Sequence, residues 1–156
     1  MNPKIPIPPE TALKKAMKYC AYQERSQQEV RDKLYSYGLH RKEVESILAE
    51  LIISGFIKEE RFALAYAGGK FRMKGWGKIK IKKSLEQKNV SETLIRQALK
   101  TIDERDYAQT LKKIIREKSK QVTEINPRKK NYRIAQYAIS KGFEPELVWE
   151  ILNDRE

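Results

Sequence analysis

Apolar residues recur along this chain in a pattern that occurs three times. In each copy a pair of apolar positions is spaced i, i+4, and three later positions follow the i, i+3, i+4 spacing of one helix face. The copies are Val30, Leu34, Leu39, Val44, Ile47 and Leu48; Ile81, Leu85, Val90, Ile95, Ala98 and Leu99; and Ile134, Ala138, Phe143, Val148, Ile151 and Leu152. Three similar units, each holding at least a helix pair, are therefore predicted.

The turn inside each helix pair carries a residue type suited to a left-handed backbone, which commonly closes a helix. This place is held by Gly38, Asn89 and Gly142. Helix starts are indicated as well, since Ser26 followed by Glu29 has the pattern of a capping box. Ser91 is suited to an N-cap and Pro145 to a first helical turn. The start signals agree with the apolar spacing.

A further helix precedes each pair and completes the unit. Its positions are Ala12, Leu13, Ala16, Met17 and Cys20 in the first unit, Phe62, Ala63, Tyr66, Ala67 and Lys70 in the second, and Tyr107, Leu111, Ile114 and Ile115 in the third. The chain is predicted to be all-α, with three tandem three-helix repeats in an elongated arrangement that can curve. The predicted boundaries are a flexible leader at 1–9 and repeats at 10–58, 59–102 and 103–156.

Charge is distributed unevenly over these units. The chain has 33 Lys and Arg against 21 Asp and Glu, a net charge of +12. The excess of basic residues is +1 over 1–60, +8 over 61–103 and +3 over 104–156. Such an excess favours association with nucleic acid or with an acidic protein surface, although a run of lysines is often only a solvated helix face.

The candidate binding face is basic and lies mainly in the second unit. It consists of Lys70, Arg72, Lys74, Lys78 and Lys82, with a second cluster of Arg128, Lys129, Lys130 and Arg133 in the third unit. Lys74, Lys78 and Lys82 follow each other at i, i+4 and i+8, which predicts that they share one helical stripe.

Three short motifs give the chain a resemblance to a known family. They are Glu24-Arg25-Ser26, Arg61-Phe62-Ala63, and Lys74-Gly75-Trp76-Gly77 followed by Ile79 and Ile81. Together they resemble the RecX family, most closely from Ala12 to Leu99. The resemblance implies tandem three-helix repeats without catalysis, and binding along or at the end of the RecA filament on DNA. It also implies inhibition of the recombinase and coprotease activities of RecA. One departure is Asn89, where the family usually has glycine.

Arg25, Arg61 and Trp76 are candidate partner contacts, and Arg61 and Trp76 have equally plain structural alternatives. Trp76 between two glycines could stack on a base, but a large aromatic there more often fills a helix junction. Arg61 is as well suited to a local ion pair with Glu59 or Glu60 as to a partner, and Phe62 is expected in the core.

No catalytic, metal or cofactor site is predicted. His40 and Cys20 are the only residues of their kinds, and Cys20 lies on an apolar helix face. No run of residues is apolar enough for a membrane span. We expect a cytoplasmic monomer that uses no small-molecule substrate.

The alternative function is a stand-alone, non-specific DNA-binding helical module, because three-helix units resemble helix-turn-helix domains. The third helices at Val44–Leu51 and Glu92–Leu99 lack a row of side chains suited to base edges.

Overall fold

The computed structural model describes residues 6–154, and this part of the chain folds into nine α-helices with no strand. The all-α prediction is confirmed. The helices are α1 (Pro9–Tyr22), α2 (Gln27–Ser36), α3 (Arg41–Ile53), α4 (Glu59–Lys74), α5 (Lys78–Gln87), α6 (Glu92–Lys100), α7 (Glu104–Gln121), α8 (Pro127–Ser140) and α9 (Pro145–Asn153).

The helices form three modules in sequence order. In each module the first helix packs against both members of the pair that follows, so α1 contacts α2 and α3, α4 contacts α5 and α6, and α7 contacts α8 and α9. We call these the first, second and third modules. Every position of the repeated apolar pattern is buried except Leu99, which is half-buried and packs against the same core.

The turn residues adopt the predicted conformation. The backbone angle φ is +86° at Gly38, +61° at Asn89 and +103° at Gly142. Asparagine is among the few residues with a side chain that tolerate this left-handed region. The turn residue is therefore left-handed in all three modules, and Asn89 takes the same conformation as the glycines.

The helix starts agree with the sequence in all but one detail. The Ser26 hydroxyl accepts a hydrogen bond from the Glu29 N–H at 3.0 Å, and the Ser91 hydroxyl accepts one from the Leu94 N–H at 3.3 Å. Pro145 begins α9. The capping-box prediction was wrong for Glu29, because its carboxylate pairs with the ammonium of Lys88 at 3.2 Å instead.

The predicted leader at 1–9 lies only partly within the described residues. Residues 1–5 lie outside the described part of the chain. The Ile7 N–H, however, donates to the Tyr37 carbonyl at 3.2 Å, and the Ile7 side chain packs on the core of the first module. Helix α1 already begins at Pro9, since proline is well suited to a first helical position.

The hydrophobic core is divided in two. The first module has a core of its own, which includes Val30, Leu34 and Leu51. The second and third modules share one continuous core that runs from Phe62 to Leu152. None of the helices within residues 6–154 is both long and apolar enough to cross a membrane.

Candidate functional site

The predicted stripe of Lys74, Lys78 and Lys82 does not exist. Helix α4 ends at Lys74, and Gly75 follows with φ +66°, a left-handed conformation that terminates the helix. Helix α5 begins only at Lys78. The i, i+4, i+8 spacing therefore spans two helices, and Lys74 is separated from the other two lysines. The basic residues form three separate surfaces.

The first surface, which we call the seam cleft, lies where the end of α4 meets the third module. It is a cleft of about 620 Å³. Its charged lining consists of Arg72, Lys74, Lys113 and Lys141, with the acidic Asp106 and Glu117. The Lys141 ammonium donates to the Lys74 carbonyl at 2.7 Å, so a lysine of the third module caps the end of α4.

The sequence did not point to Lys113 and Lys141. They are far from Lys74 in the chain and lie in a module with a small net charge, so a count of charged residues along the sequence does not single them out. The sequence held one indication for Lys141. This lysine directly precedes the turn residue Gly142, so its position is set by the repeated turn rather than by a run of charged residues.

The second surface is a groove between α5 and α6, which we call the α5–α6 groove. Its volume is about 230 Å³. Four cationic residues line it, Lys78 and Lys82 from α5, and Arg96 and Lys100 from α6. Ile95 and Leu99 provide an apolar floor, and Glu92 is the single acidic residue of the lining. Arg96 and Lys100 were not predicted as site residues.

The third surface lies at the start of α8 and holds three residues of the second predicted cluster. Arg128, Lys129, Tyr132 and Arg133 line a shallow depression of about 420 Å³. Lys130 is half-buried and is not part of this lining. The Arg133 guanidinium lies 3.9 Å from the Glu124 carboxylate, so this cation is partly neutralised.

Trp76 and Lys70 are parts of the packing between α4 and α5. Trp76 is half-buried and packs against the shared core, the structural role that the sequence favoured. The Lys70 and Lys80 ammonium groups lie 5.0 Å and 4.5 Å from the centre of its ring. The two lysines therefore cover the indole as cation–π partners, and Lys70 is not part of the seam cleft or the groove.

Arg25 and Arg61 are both engaged within the molecule. The Arg25 Nε–H donates to the Tyr19 carbonyl at 3.0 Å, and its guanidinium lies 3.8 Å from the centre of the Tyr19 ring. The Arg61 Nε lies 2.8 Å from the Glu24 carboxylate. A local pair of Arg61 with Glu59 or Glu60 was the wrong expectation, because its partner comes from the first module.

Cysteine, histidine and acidic side chains are among those that can form a reactive or metal-holding arrangement within the described part of the chain. Cys20 is buried in the first core, and this burial raises the pKa of its thiol, which leaves it protonated. Between residues 6 and 154, no group of histidine, cysteine or acidic side chains has the proximity needed to hold a metal ion.

Comparison with known proteins finds two family domains in tandem. Residues 12–51 match the first three-helix domain of RecX, and residues 59–99 match the second. The chain is also 32% identical over 140 residues to the regulatory protein RecX of Clostridium tetani, which covers 88% of this chain. It is 32% identical over 139 residues to that of Pasteurella multocida, covering 86% of this chain and 82% of the relative.

The chain belongs to the RecX family. A crystal structure of RecX from Lactobacillus salivarius has the same fold, with a TM-score of 0.81 at 23% identity, over 94% of this chain and 95% of that one. Some relatives are longer, since this chain spans 64% of the Clostridium tetani protein and 51% of a Geobacillus one.

The three basic surfaces differ in their relation to the RecX domains. The α5–α6 groove lies almost wholly within the second RecX three-helix domain, whereas the seam cleft joins that domain to the third module. The surface at the start of α8 lies beyond both matched domains. A binding partner that contacts all three surfaces must therefore extend along the second and third modules.

Proposed function

We propose that this chain is a non-enzymatic regulator that binds the RecA recombinase filament on DNA and inhibits its recombinase and coprotease activities. The observation that carries the proposal is the pair of RecX domains at 12–51 and 59–99, together with relatives named as regulatory proteins. We further propose that the protein acts in the cytoplasm, as a monomer.

Support for a polyanionic or acidic partner comes from the distribution of charge. The basic excess is +8 over 61–103 and +1 over 1–60. A filament on DNA presents phosphates and protein along one extended surface, and a chain of modules is suited to such a surface. Concentrated positive charge also raises the rate of association with it.

The seam cleft has the chemistry needed for DNA phosphate. Arg72, Lys74 and Lys113 are exposed, and all three line the cleft. Each phosphate neutralised by such a cation releases a condensed counterion, so binding through the cleft weakens steeply as salt rises. We expect the cleft to contact the DNA within the filament rather than to read its sequence.

The test is RecA-driven strand exchange and repressor cleavage with increasing amounts of the protein. Both reactions should slow, and electron micrographs should show either shortened filaments or density along the filament groove. Normal RecA activity at saturating protein would contradict the proposal.

Reversing the charges of the seam cleft tests whether the cleft contacts the filament. Arg72→Glu, Lys74→Glu and Lys113→Glu together should abolish filament binding while circular dichroism stays unchanged, because all three side chains are exposed. The matched control reverses Lys14, Lys15 and Lys18, three exposed residues of α1. If the control loses binding and the cleft variant keeps it, the contact lies in the first module.

The alternative, a stand-alone non-specific DNA-binding module, is favoured by the same cleft. It predicts tight binding to naked duplex or single-stranded DNA without RecA, with a strong dependence on salt. Titration of labelled DNA with and without RecA, at two salt concentrations, distinguishes the two functions, since a filament regulator binds much more tightly when RecA is present.

A further inference from the structure

We propose that the α5–α6 groove docks an acidic protein segment that carries an apolar side chain. This goes beyond the proposed function, because it assigns the groove to protein rather than to DNA and holds whichever protein supplies the segment. The groove combines four cations, Lys78, Lys82, Arg96 and Lys100, with a floor of Ile95 and Leu99.

None of the four groove cations forms an ion pair within the described part of the chain, although the Lys78 ammonium lies 4.7 Å from the centre of the Tyr107 ring. Within residues 6–154, the ion pairs are Arg31–Glu45, Arg61–Glu24, Lys88–Glu29 and Arg133–Glu124. None of these neutralises the groove. On each helix the two cations are spaced i, i+4, so like charges face each other along α5 and along α6, an arrangement that is unfavourable in the free protein. An acidic partner removes this repulsion.

The groove is held in position before any partner arrives. The Lys78 N–H donates to the Tyr107 hydroxyl at 3.0 Å, and the Ile79 N–H donates to the Gly142 carbonyl at 2.9 Å. These bonds tie the start of α5 to the third module, while Ile95 fixes α6 in the shared core. A pre-formed site loses little conformational entropy on binding.

The lining favours a protein segment over nucleic acid. No aromatic residue lines the groove, and the bases of single-stranded nucleic acid bind mainly by stacking on aromatic rings. A volume of about 230 Å³ is suited to one leucine or phenylalanine side chain on the aliphatic floor. Acidic residues beside that side chain then reach the four cations, which gives the mixed chemistry of a protein interface.

The test uses fluorescence anisotropy with a short labelled peptide that alternates glutamate and leucine. A second peptide replaces the leucines by serine at unchanged charge, and a labelled thymidine oligonucleotide represents nucleic acid. We expect the wild-type protein to bind the leucine peptide several times more tightly than the serine peptide, because only the former fills the apolar floor.

The variant Lys82→Glu with Arg96→Glu should weaken binding of the leucine peptide about tenfold or more, as the loss of two charge-assisted contacts requires. The matched control is Lys14→Glu with Lys18→Glu, which makes the same change of charge at two exposed i, i+4 positions of α1. It should bind the peptide nearly as well as the wild type. Both variants alter exposed side chains only, and unchanged circular dichroism verifies that they fold.

A third variant, Leu99→Ala, leaves the charge intact and should remove the preference for leucine over serine. The proposal is overturned by any of three results: equal binding of both peptides, equal losses in the groove and control variants, or oligonucleotide binding that depends on Lys82 and Arg96 while peptide binding does not. Dimerisation of the wild type that disappears in the groove variant would also overturn it, since the occupant would then be a second copy of this chain.

Discussion

The two joins between modules are built differently, although the three modules repeat one design. At the join of the second and third modules, backbone meets backbone. The Gly77 N–H donates to the Lys141 carbonyl at 2.8 Å, and the Ile79 N–H donates to the Gly142 carbonyl at 2.9 Å. The two backbone segments approach so closely that neither Gly77 nor Gly142 has room for a side chain.

The same join also has a continuous apolar interior. The Tyr107 ring lies between Phe71 of the second module and Phe143 of the third, at centroid distances of 5.8 Å and 5.1 Å. Its hydroxyl accepts from the Lys78 N–H and donates to the Glu144 carboxylate. Burial and the hydrogen bond with Glu144 raise the pKa of Tyr107, so this hydroxyl is protonated at neutral pH.

The join of the first and second modules is polar instead. Its contacts are Arg61 with Glu24 at 2.8 Å, the Gln27 N–H with the Glu59 carboxylate at 2.6 Å, and Lys88 with Glu29 at 3.2 Å. Among residues 6–154, no buried apolar cluster crosses it, and it borders a cleft of about 460 Å³ lined by residues of both modules. Exposed ion pairs of this kind contribute little each and are screened by salt.

Three modules of the same fold can therefore be joined with very different rigidity. The stability of a repeat array is the sum of its units and of the interfaces between neighbours. A shared core and backbone hydrogen bonds make the second and third modules one unit. Because the first join rests on a few partly exposed ion pairs, we expect the first module to change its orientation at low cost.

The largest loss of stability is expected from Gly77→Ala, which disrupts the join of the second and third modules. The added Cβ would lie 2.3 Å from the Gly142 carbonyl carbon, so the two backbones must separate and lose their hydrogen bonds. We expect a loss of about 3 kcal/mol in the free energy of unfolding, measured with urea. The control is Gly69→Ala in α4, where the Cβ meets nothing within 4 Å and a gain of about 0.5–1 kcal/mol is expected. Similar stabilities of the two variants would contradict the close approach.

A smaller loss is expected from Tyr107→Phe, which keeps the ring and removes the hydroxyl. The Lys78 N–H then lacks its acceptor and Glu144 its donor, at a cost of about 2 kcal/mol. The control Tyr22→Phe alters a side chain that is 82% exposed and should change stability by less than about 0.5 kcal/mol. If Tyr107→Phe behaves like this control, the hydroxyl does not contribute to the join.

The first module shows how much of the fold a pattern of residues can predict. Helix existence, turn geometry and core membership are local or periodic properties, and they were predictable at Val30, Gly38 and Val44. The joins between modules are not periodic. Arg61 pairs with Glu24 rather than with the neighbouring Glu59 or Glu60, and only the folded chain brings these distant residues together.

The basic site shows the opposite outcome. Lys74, Lys78 and Lys82 have the correct spacing for one stripe, but Gly75 adopts φ +66° and separates them onto two helices. A glycine between periodic residues permits a helix end without requiring it. The actual neighbours of Lys74, namely Lys113 and Lys141, come from the third module, so the candidate site depends on tertiary contacts that no local spacing encodes.

Charge reversal at the polar join should change geometry more than stability. Arg61→Glu with Lys88→Glu removes two ion pairs at a cost of about 1 kcal/mol or less in the free energy of unfolding. The distance distribution between dyes attached at Lys18 and Gln136, measured by single-molecule energy transfer, should broaden. The wild type should broaden in the same way at 1 M salt, where the screening length falls to about 3 Å.

The control for this join exchanges the two charges of one ion pair. Arg61→Glu combined with Glu24→Arg restores one pair with its direction reversed, and it should narrow the distribution again relative to Arg61→Glu alone. A distribution that is equally narrow in every variant would mean that the ion pairs do not hold the first module.

The smallest effect is expected from Glu59→Gln, which changes how the polar join responds to pH. Burial raises the pKa of Glu59, the Gln27 N–H opposes this, and Glu29 adds to it by repulsion. Because the folded protein holds the proton more tightly than the unfolded chain, stability falls as pH rises from the ordinary carboxyl range through the raised pKa. Below that range both states are protonated, and this contribution to the pH dependence disappears.

Glutamine keeps the oxygen that accepts from the Gln27 N–H and has no charge to desolvate. At neutral pH the variant should therefore be as stable as the wild type, or more stable by up to about 0.5 kcal/mol, since a partly exposed carboxylate is screened by solvent. The advantage should shrink as the pH approaches about 4, near the ordinary carboxyl pKa. Urea midpoints at the two pH values measure it, with the exposed Glu60→Gln as control. A clear loss of stability in Glu59→Gln at neutral pH would mean that attraction between its carboxylate and Arg31 outweighs burial, so that charge rather than the hydrogen bond holds this contact.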